Sequence, residues 1–391
     1  MKNNLEDIKF LLKKLEETHP CLYFDTTKEN VEKYVKGNFC EKDLNDLQFY
    51  YHLQRLFKII NDPHTKCRFK AKKFPLKLKV VDGKVLVIAA AKEHQNVLNS
   101  EITAINDIPV DVVLKELEKI ISYTAIGHLE SEQEHELLRG SSILSLPIFK
   151  NSNNIVKYTF EENGKTEEIE FNWEEEYKKE YNYDFLEERS YWFEYGKEKN
   201  IVIIKYKSCY EDKNKPMEEF VNDIKDFVQK NSVDNIIVDI RGNRGGDSSV
   251  IHPLLMFLRD YKAELITLID KDVYSSGRWA LFDLKRIGSK FVGTEIGTAI
   301  NCFGNNDSFE LPNSKININC STTYWYYESG IMNGVNKEKF QEFYNNFNNK
   351  KYFTDETFTP EIYVKNNLND YKNNYDKELN KAIECFNQRI Q

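Results

Sequence analysis

The chain has 391 residues, 40% of them hydrophobic and 13% aromatic, and a formal net charge of −8. It is too apolar for a disordered protein, too acidic for nucleic acid to be its main partner, and long enough for two or three domains with separate cores. Its seven cysteines (Cys21, Cys40, Cys67, Cys209, Cys302, Cys320, Cys385) are scattered and odd in number. They lack the spacing of a metal site and read as reduced thiols of a cytoplasmic protein. No apolar run reaches the roughly 18 residues of a membrane span, and the N-terminus lacks the apolar core of a signal peptide.

Helices are predicted over 5–17, 28–35 and 44–60. In the first, Leu5, Ile8, Leu11, Leu12 and Leu15 share one face. Strands LKLKVV and KVLVIAAA follow, with Asp82-Gly83 as a hairpin turn. EITAINDIPV adds a strand, and 111–121 a helix. IVKYTFEENGKTEEIEFNW reads as a hairpin turning at Asn163-Gly164. A Lys/Glu/Tyr-rich connector covers 174–199, IVIIKY is a strand, and the Asn-rich tract 344–350 reads as a loop. Three regions result: 1–72, 73–150 and 151–391.

The most informative stretch is NIIVDIRGNRGG, 235–246: a β-branched run suited to a strand buried on both faces, then a glycine turn, then a helical pattern. Adjacent glycines Gly245 and Gly246 let the backbone point N–H groups at an anion or a developing oxyanion. The same pattern also serves as a plain strand-to-helix connection. A second strand, LITLI, runs into DKDVYSSG and another helix. A serine at such a turn is either an N-cap or an exposed nucleophile beside the helix's first N–H groups.

Together these stretches resemble the C-terminal processing, or tail-specific, serine peptidases. The resemblance rests on VDIRGNRGG (238–246), VYSSG (273–277) and FVGTEIG (291–297), continues through FGNNDSFELPNS, TPEIYV and YDKELNKAIE, and covers most of 200–386. It implies Ser275 as nucleophile in preference to Ser276, with Gly245, Gly246 and Ser276 supplying oxyanion donors. Where some members place a lysine base, this chain has Gly297, Thr298, Ala299 and Ile300. NDPHTK, 61–66, instead resembles the Asp-x-His-Thr motif of the histidine-using branch, which includes the tricorn core protease and a chlamydial protease. His64 is then the expected base, since an imidazole titrates near working pH. His19, in THPCLYF, matches a segment expected to be structural. Glu328 is the expected third triad member, ahead of Glu295 and Glu338. Arg278 stands where the family often has an acidic residue.

The fold the resemblance implies is α/β: a crotonase/ClpP-like catalytic core over 151–391, an N-terminal helical region over 1–72 carrying the base, and a degenerate PDZ-like module over 73–150. Such modules take extended peptide along a sheet edge. Here Asn99 and Ser100 replace the glycine usual before the module's strand. The expected activity is hydrolysis of peptide bonds in unfolded or extended polypeptide through a Ser-His-Glu type triad. No metal or cofactor is expected, and the expected partners are polypeptide substrate and, at most, further copies of the chain. The alternative is an inactive peptide- or hydrophobic-ligand-binding protein on the same fold.

Overall fold

Apolar residues three and four apart fold the start of the chain into α1 (Asn4–Thr18), α2 (Lys28–Phe39) and α3 (Asp46–Ile60). Asn45 and Gln48 cap α3 reciprocally, and Asn61 closes it in the left-handed conformation, φ 61°. In this computed structural model the residues described are 4–40, 44–69, 72–149, 153–177, 189–347 and 352–387. β1 (Lys66–Arg68) comes next, then β2 (Leu76–Val81), β3 (Lys84–Ala90), β4 (Glu101–Ile105), β5 (Ile108–Pro109) and α4 (Val110–Glu118). α5 (Ile126–Glu136), α6 (Gly140–Ser145), β6 (Ile155–Glu162) and β7 (Lys165–Asn172) complete this stretch. At Asp82-Gly83 and Asn163-Gly164 both turn residues have positive φ, the type I′ hairpin pattern their sequences call for.

The sheet runs β2-β3-β4-β6-β7, with β5 beside β4. Ile102 of β4 lies opposite Phe160 of β6, and Val156, Tyr158 and Phe160 join the core formed by Val85, Val87 and Ile102. The sheet therefore continues past residue 150, where the sequence suggests a boundary. The hairpin cannot belong to the following region without unpairing β4. α5 was not foreseen. Its sequence, IGHLESEQEHE, has no apolar stripe, yet it buries His128, Ser131, Glu132, Gln133, Glu134 and Glu136. Glu134 Oε1 accepts the N–H of Val80 at 2.9 Å on the outer edge of β2. The Phe74 N–H likewise donates to the Leu138 carbonyl at 2.9 Å.

β8 (Tyr191–Gly196) lies within the stretch expected to be a connector; 178–188 of that stretch lie outside the described residues. There follow β9 (Ile201–Tyr206), α7 (Met217–Asn231), β10 (Asn235–Asp239), α8 (His252–Tyr261), β11 (Glu264–Ile269), α9 (Ser276–Arg286) and β12 (Lys290–Gly293). β13 (Cys302–Glu310), β14 (Asn317–Glu328), β15 (Ile331–Asn336) and α10 (Lys337–Phe347) come next, then β16 (Ile362–Tyr363), α11 (Leu368–Lys372) and α12 (Lys377–Asn387).

The second sheet has the order β16-β12-β11-β10-β9-β8, parallel except for β8. Alternate residues of its strands bury on opposite faces. Val202, Ile204, Ile236 and Val238 pack with Ile224, Leu254 and Leu284 of α7, α8 and α9. Ile203, Ile237 and Leu268 pack with Ala382 and Phe386 of α12. Burial on both faces is what their β-branched runs require.

The chain forms two units, 1–183 with 301–326 and 333–354, and 184–300 with 327–332 and 355–391. Most of the 301–354 segment thus leaves the expected 151–391 core. The reason is strand pairing: Cys67 of β1 lies opposite Ile318 of β14. α10 makes 344–347 helical where a loop was expected, because Phe340 and Phe343 bury into an aromatic cluster with Phe303, Tyr324 and Tyr352; 348–350 lie outside the described residues. No helix among the described residues is long and apolar enough to cross a membrane.

Candidate active site

In the second unit, β10 and β11 are parallel neighbours, Asp239 opposite Leu268, so the loops at their C-terminal ends lie side by side. Open α/β sheets place their ligands at that end. Three bonds tie the two loops together: Ile240 N–H to Leu268 O at 3.1 Å, Tyr274 N–H to Asn243 O at 2.9 Å, and Gly242 N–H to Asp270 Oδ1 at 2.9 Å. Asn243 is the keystone. Fully buried, it donates Nδ2 to Tyr206 O at 3.0 Å and accepts the Gly245 N–H on Oδ1 at 2.9 Å.

Ser275 precedes α9 at φ 52°, ψ −125°, and makes no side-chain capping bond to the helix. Its hydroxyl is therefore not used as an N-cap. A non-glycine residue held there stores about 1–3 kcal/mol of strain, which the bonds around it must sustain. Ser276 differs: its hydroxyl donates to the Gly246 carbonyl at 2.7 Å. At the start of α9 the Gly277 and Arg278 N–H groups go to Tyr274 O and Ser275 O. The N–H groups of Ser276 and Gly246 have no hydrogen-bond acceptor among the described residues. Gly246, at φ 140°, pairs with Cys209, and a Cβ there would lie 2.4 Å from the Cys209 carbonyl oxygen. The Cys209 thiol is pushed up to about 11, chiefly by burial, so it is no rival nucleophile.

Beneath this turn lies a buried charge network. Arg241 donates to both Asp239 oxygens, to both Asp376 oxygens and to Glu378 Oε2, at 2.8–3.0 Å. Lys205 and Lys207 each reach Asp239 at 3.0 Å. Burial alone would raise the Asp239 carboxyl, but Arg241, Lys207 and Lys205 together hold it well below the usual range.

In the first unit, His64 is buried in the turn that follows α3. Its N–H donates to Asp62 Oδ1 at 3.0 Å, and its carbonyl accepts from Asn306 Nδ2 at 3.2 Å. Asp62 Oδ2 accepts from Ser321 Oγ at 2.6 Å and from His19 Nε2 at 3.2 Å. Burial would raise the Asp62 carboxyl. The hydrogen bond from His19, the electrostatic pull of the His19 and His64 rings and the Ser321 bond outweigh it and hold the group below its ordinary range. The His64 ring lies by β13, where a methyl group on Gly304 would sit 3.8 Å from Nε2.

Glu328 is the half-buried last residue of β14, before a turn with Ser329 and Gly330 both at positive φ; Glu295 and Glu338 are exposed. Other histidines are engaged elsewhere: His52 with Tyr34 and His128 with Glu132. Arg278 is buried and donates to Ala299 O at 2.9 Å. Among the described residues no cluster of His, Cys, Asp or Glu could hold a metal ion. Not foreseen were the supports of each turn: Asn243 and the Arg241 network in the second unit, and His19, Asp62 and Ser321 in the first. Asp239, Arg241 and Asn243 stand inside the VDIRGN motif, but Tyr206, Asp376 and Glu378, with which Asn243 and Arg241 also bond, lie far along the chain.

No family model matches the sequence, and no curated protein matches it. Solved structures do. Mature CPAF complexed with lactacystin matches at TM-score 0.69 and 13% identity, covering 99% of this chain and 98% of that one. Mature CPAF alone gives 0.68 at 13% identity, covering 99% and 97%, and a CPAF mutant gives 0.66 at 13%, covering 97% and 96%. At such identity the likeness is one of fold, and over nearly its whole length this chain has the fold of CPAF, one of the C-terminal processing peptidases its motifs resemble.

Proposed function

We propose that the chain is a serine peptidase of unfolded or extended polypeptide. Ser275 Oγ attacks the scissile carbonyl carbon while His64 accepts its proton. The oxyanion forms against the N–H groups of Gly246 and Ser276. Collapse expels the amine, which takes the proton from His64, and water then cleaves the acyl-enzyme by the same route in reverse. Glu328 is assigned to orienting the imidazole. Gly246 is preferred to Gly245 as donor because the Gly245 N–H is already given to Asn243.

The observation that carries this reading is the Ser275 backbone: φ 52° at a helix start, with the side chain doing no capping. A residue kept in a costly conformation without a structural task fits a nucleophile. The neighbouring N–H pair and the overall fold support it further. The test is labelling by a fluorophosphonate probe. Wild type and Ser276→Ala should label; Ser275→Ala and His64→Ala should not; Glu328→Gln should label about 10- to 100-fold more slowly. Full labelling of Ser275→Ala would end the nucleophile assignment. A folded, unlabelled wild type would instead favour the ligand-binding alternative.

A further inference from the structure

We propose that His19 is a positioning residue for His64, acting through Asp62. The proposal rests on reading His64 as the base. His19 and Asp62 are 1% and 4% exposed, so water does not replace their mutual contact. The His19 ring packs on Phe303 at 4.6 Å between centroids. Its Nδ1 accepts the Cys21 N–H at 3.1 Å. That nitrogen therefore carries no proton, and the neutral ring keeps its proton on Nε2, facing Asp62 Oδ2 at 3.2 Å. A backbone amide thus selects the tautomer, the tautomer aims a donor at Asp62, and the other Asp62 oxygen grips the His64 N–H at 3.0 Å. Ser321 Oγ supplies the second donor to Oδ2 at 2.6 Å.

Without the His19 donor, a buried carboxylate is left with one side-chain donor. It must then turn toward another or take up a proton. Either change loosens its hold on the His64 backbone. Placing a base to within a fraction of an ångström is worth up to about 100-fold in rate.

The experiment compares wild type, His19→Gln and His19→Leu by the fluorophosphonate labelling rate, resolved into kinact and KI, and by amide hydrogen exchange at His64. Gln keeps an N–H donor; Leu keeps bulk without one. Expected are a kinact lower by about 30- to 100-fold in His19→Leu with KI within about 2-fold, a kinact within about 5-fold of wild type in His19→Gln, and exchange at His64 faster by about 10-fold in His19→Leu alone. A kinact within about 2-fold of wild type in His19→Leu, or an equal loss in both variants with unchanged exchange, would overturn the proposal. If His19→Leu does not fold, Ser321→Ala carries the test. It removes the other donor to the same oxygen and should slow kinact and speed His64 exchange; no change in either overturns the proposal. A wild type that never labels refutes the peptidase reading, while the exchange comparison still decides whether His19 holds the His64 turn.

Discussion

The serine turn and the histidine turn are held in opposite ways. At the serine turn most of the holding is by backbone, helped by the uncharged Asn243 amide and Ser276 hydroxyl. Gly246 lies so close to Cys209 that no side chain fits, the Tyr274 N–H bonds the Asn243 carbonyl, and Ser276 bonds the Gly246 carbonyl. At the histidine turn the holding is by side chains: His19, Asp62, Ser321, Asn306 and Thr65, whose Oγ1 accepts the Ser321 N–H at 2.9 Å. A backbone-held turn tolerates no added Cβ and depends less on protonation, which enters where Asp270 accepts the Gly242 N–H. A side-chain-held turn tolerates small changes of shape but depends on protonation.

Four substitutions test that contrast, in descending order of effect. Arg241→Met leaves Asp239, Asp376 and Glu378 without their shared cation and should cost about 3–5 kcal/mol, read as a loss of midpoint in denaturant. A cost below about 1 kcal/mol would mean that Lys205 and Lys207 alone neutralise Asp239. Gly246→Ala should slow fluorophosphonate labelling by about 100- to 1,000-fold, because the backbone must move away from Cys209 and takes its N–H with it. Near-normal labelling would show that the turn is not backbone-locked.

Asp62→Asn should cost about 1–2 kcal/mol at neutral pH and flatten the acid limb of stability. The sign follows from a carboxyl held below its unfolded value: its contribution is complete above the ordinary Asp pKa of about 3.9 and is lost as pH falls through it toward the lower folded value. Melting temperatures between about pH 2 and 5 decide this; parallel curves for wild type and variant would show that Asp62 is no acid-labile contact. Gly304→Ala should do least. The added methyl meets the His64 ring at ordinary contact distance, 3.8 Å, so labelling should stay within about 3-fold. A large loss would show that the imidazole is as tightly confined as the serine.

The same contrast explains what the sequence reveals. A backbone-held turn must spell itself out locally, so RGNRGG and YSSG stand out, and strand, turn and helix are readable around each. A side-chain-held turn spreads its parts along the chain: His19 meets Asp62 across 43 residues and Ser321 meets Asp62 across 259. His64 is therefore proposed from its motif, whereas the side chains that hold its turn have no motif to announce them. Arg241 is readable as part of a motif, but Asp376 and Glu378, 135 and 137 residues further on, are not. α5 was missed because its buried face is polar, and periodicity detects only apolar faces. The make-up of the first unit was not legible because β1–β14 pairing joins segments that lie on either side of the whole parallel sheet in sequence.

The bond from Val80 to Glu134 reaches beyond the fold. An unpaired outer strand is a template on which other chains can grow, and β2 would be such a strand. With Glu134 taking the Val80 N–H and Leu138 taking that of Phe74, the growing edge is sealed by the chain's own α5 and the segment after it. At the far side of the same sheet, β7 displays Lys165, Glu167, Glu168 and Glu170, charges that repel an incoming strand. Colloidal stability is thus built into both margins, and a Glu134→Ala chain should be the one that precipitates on concentration.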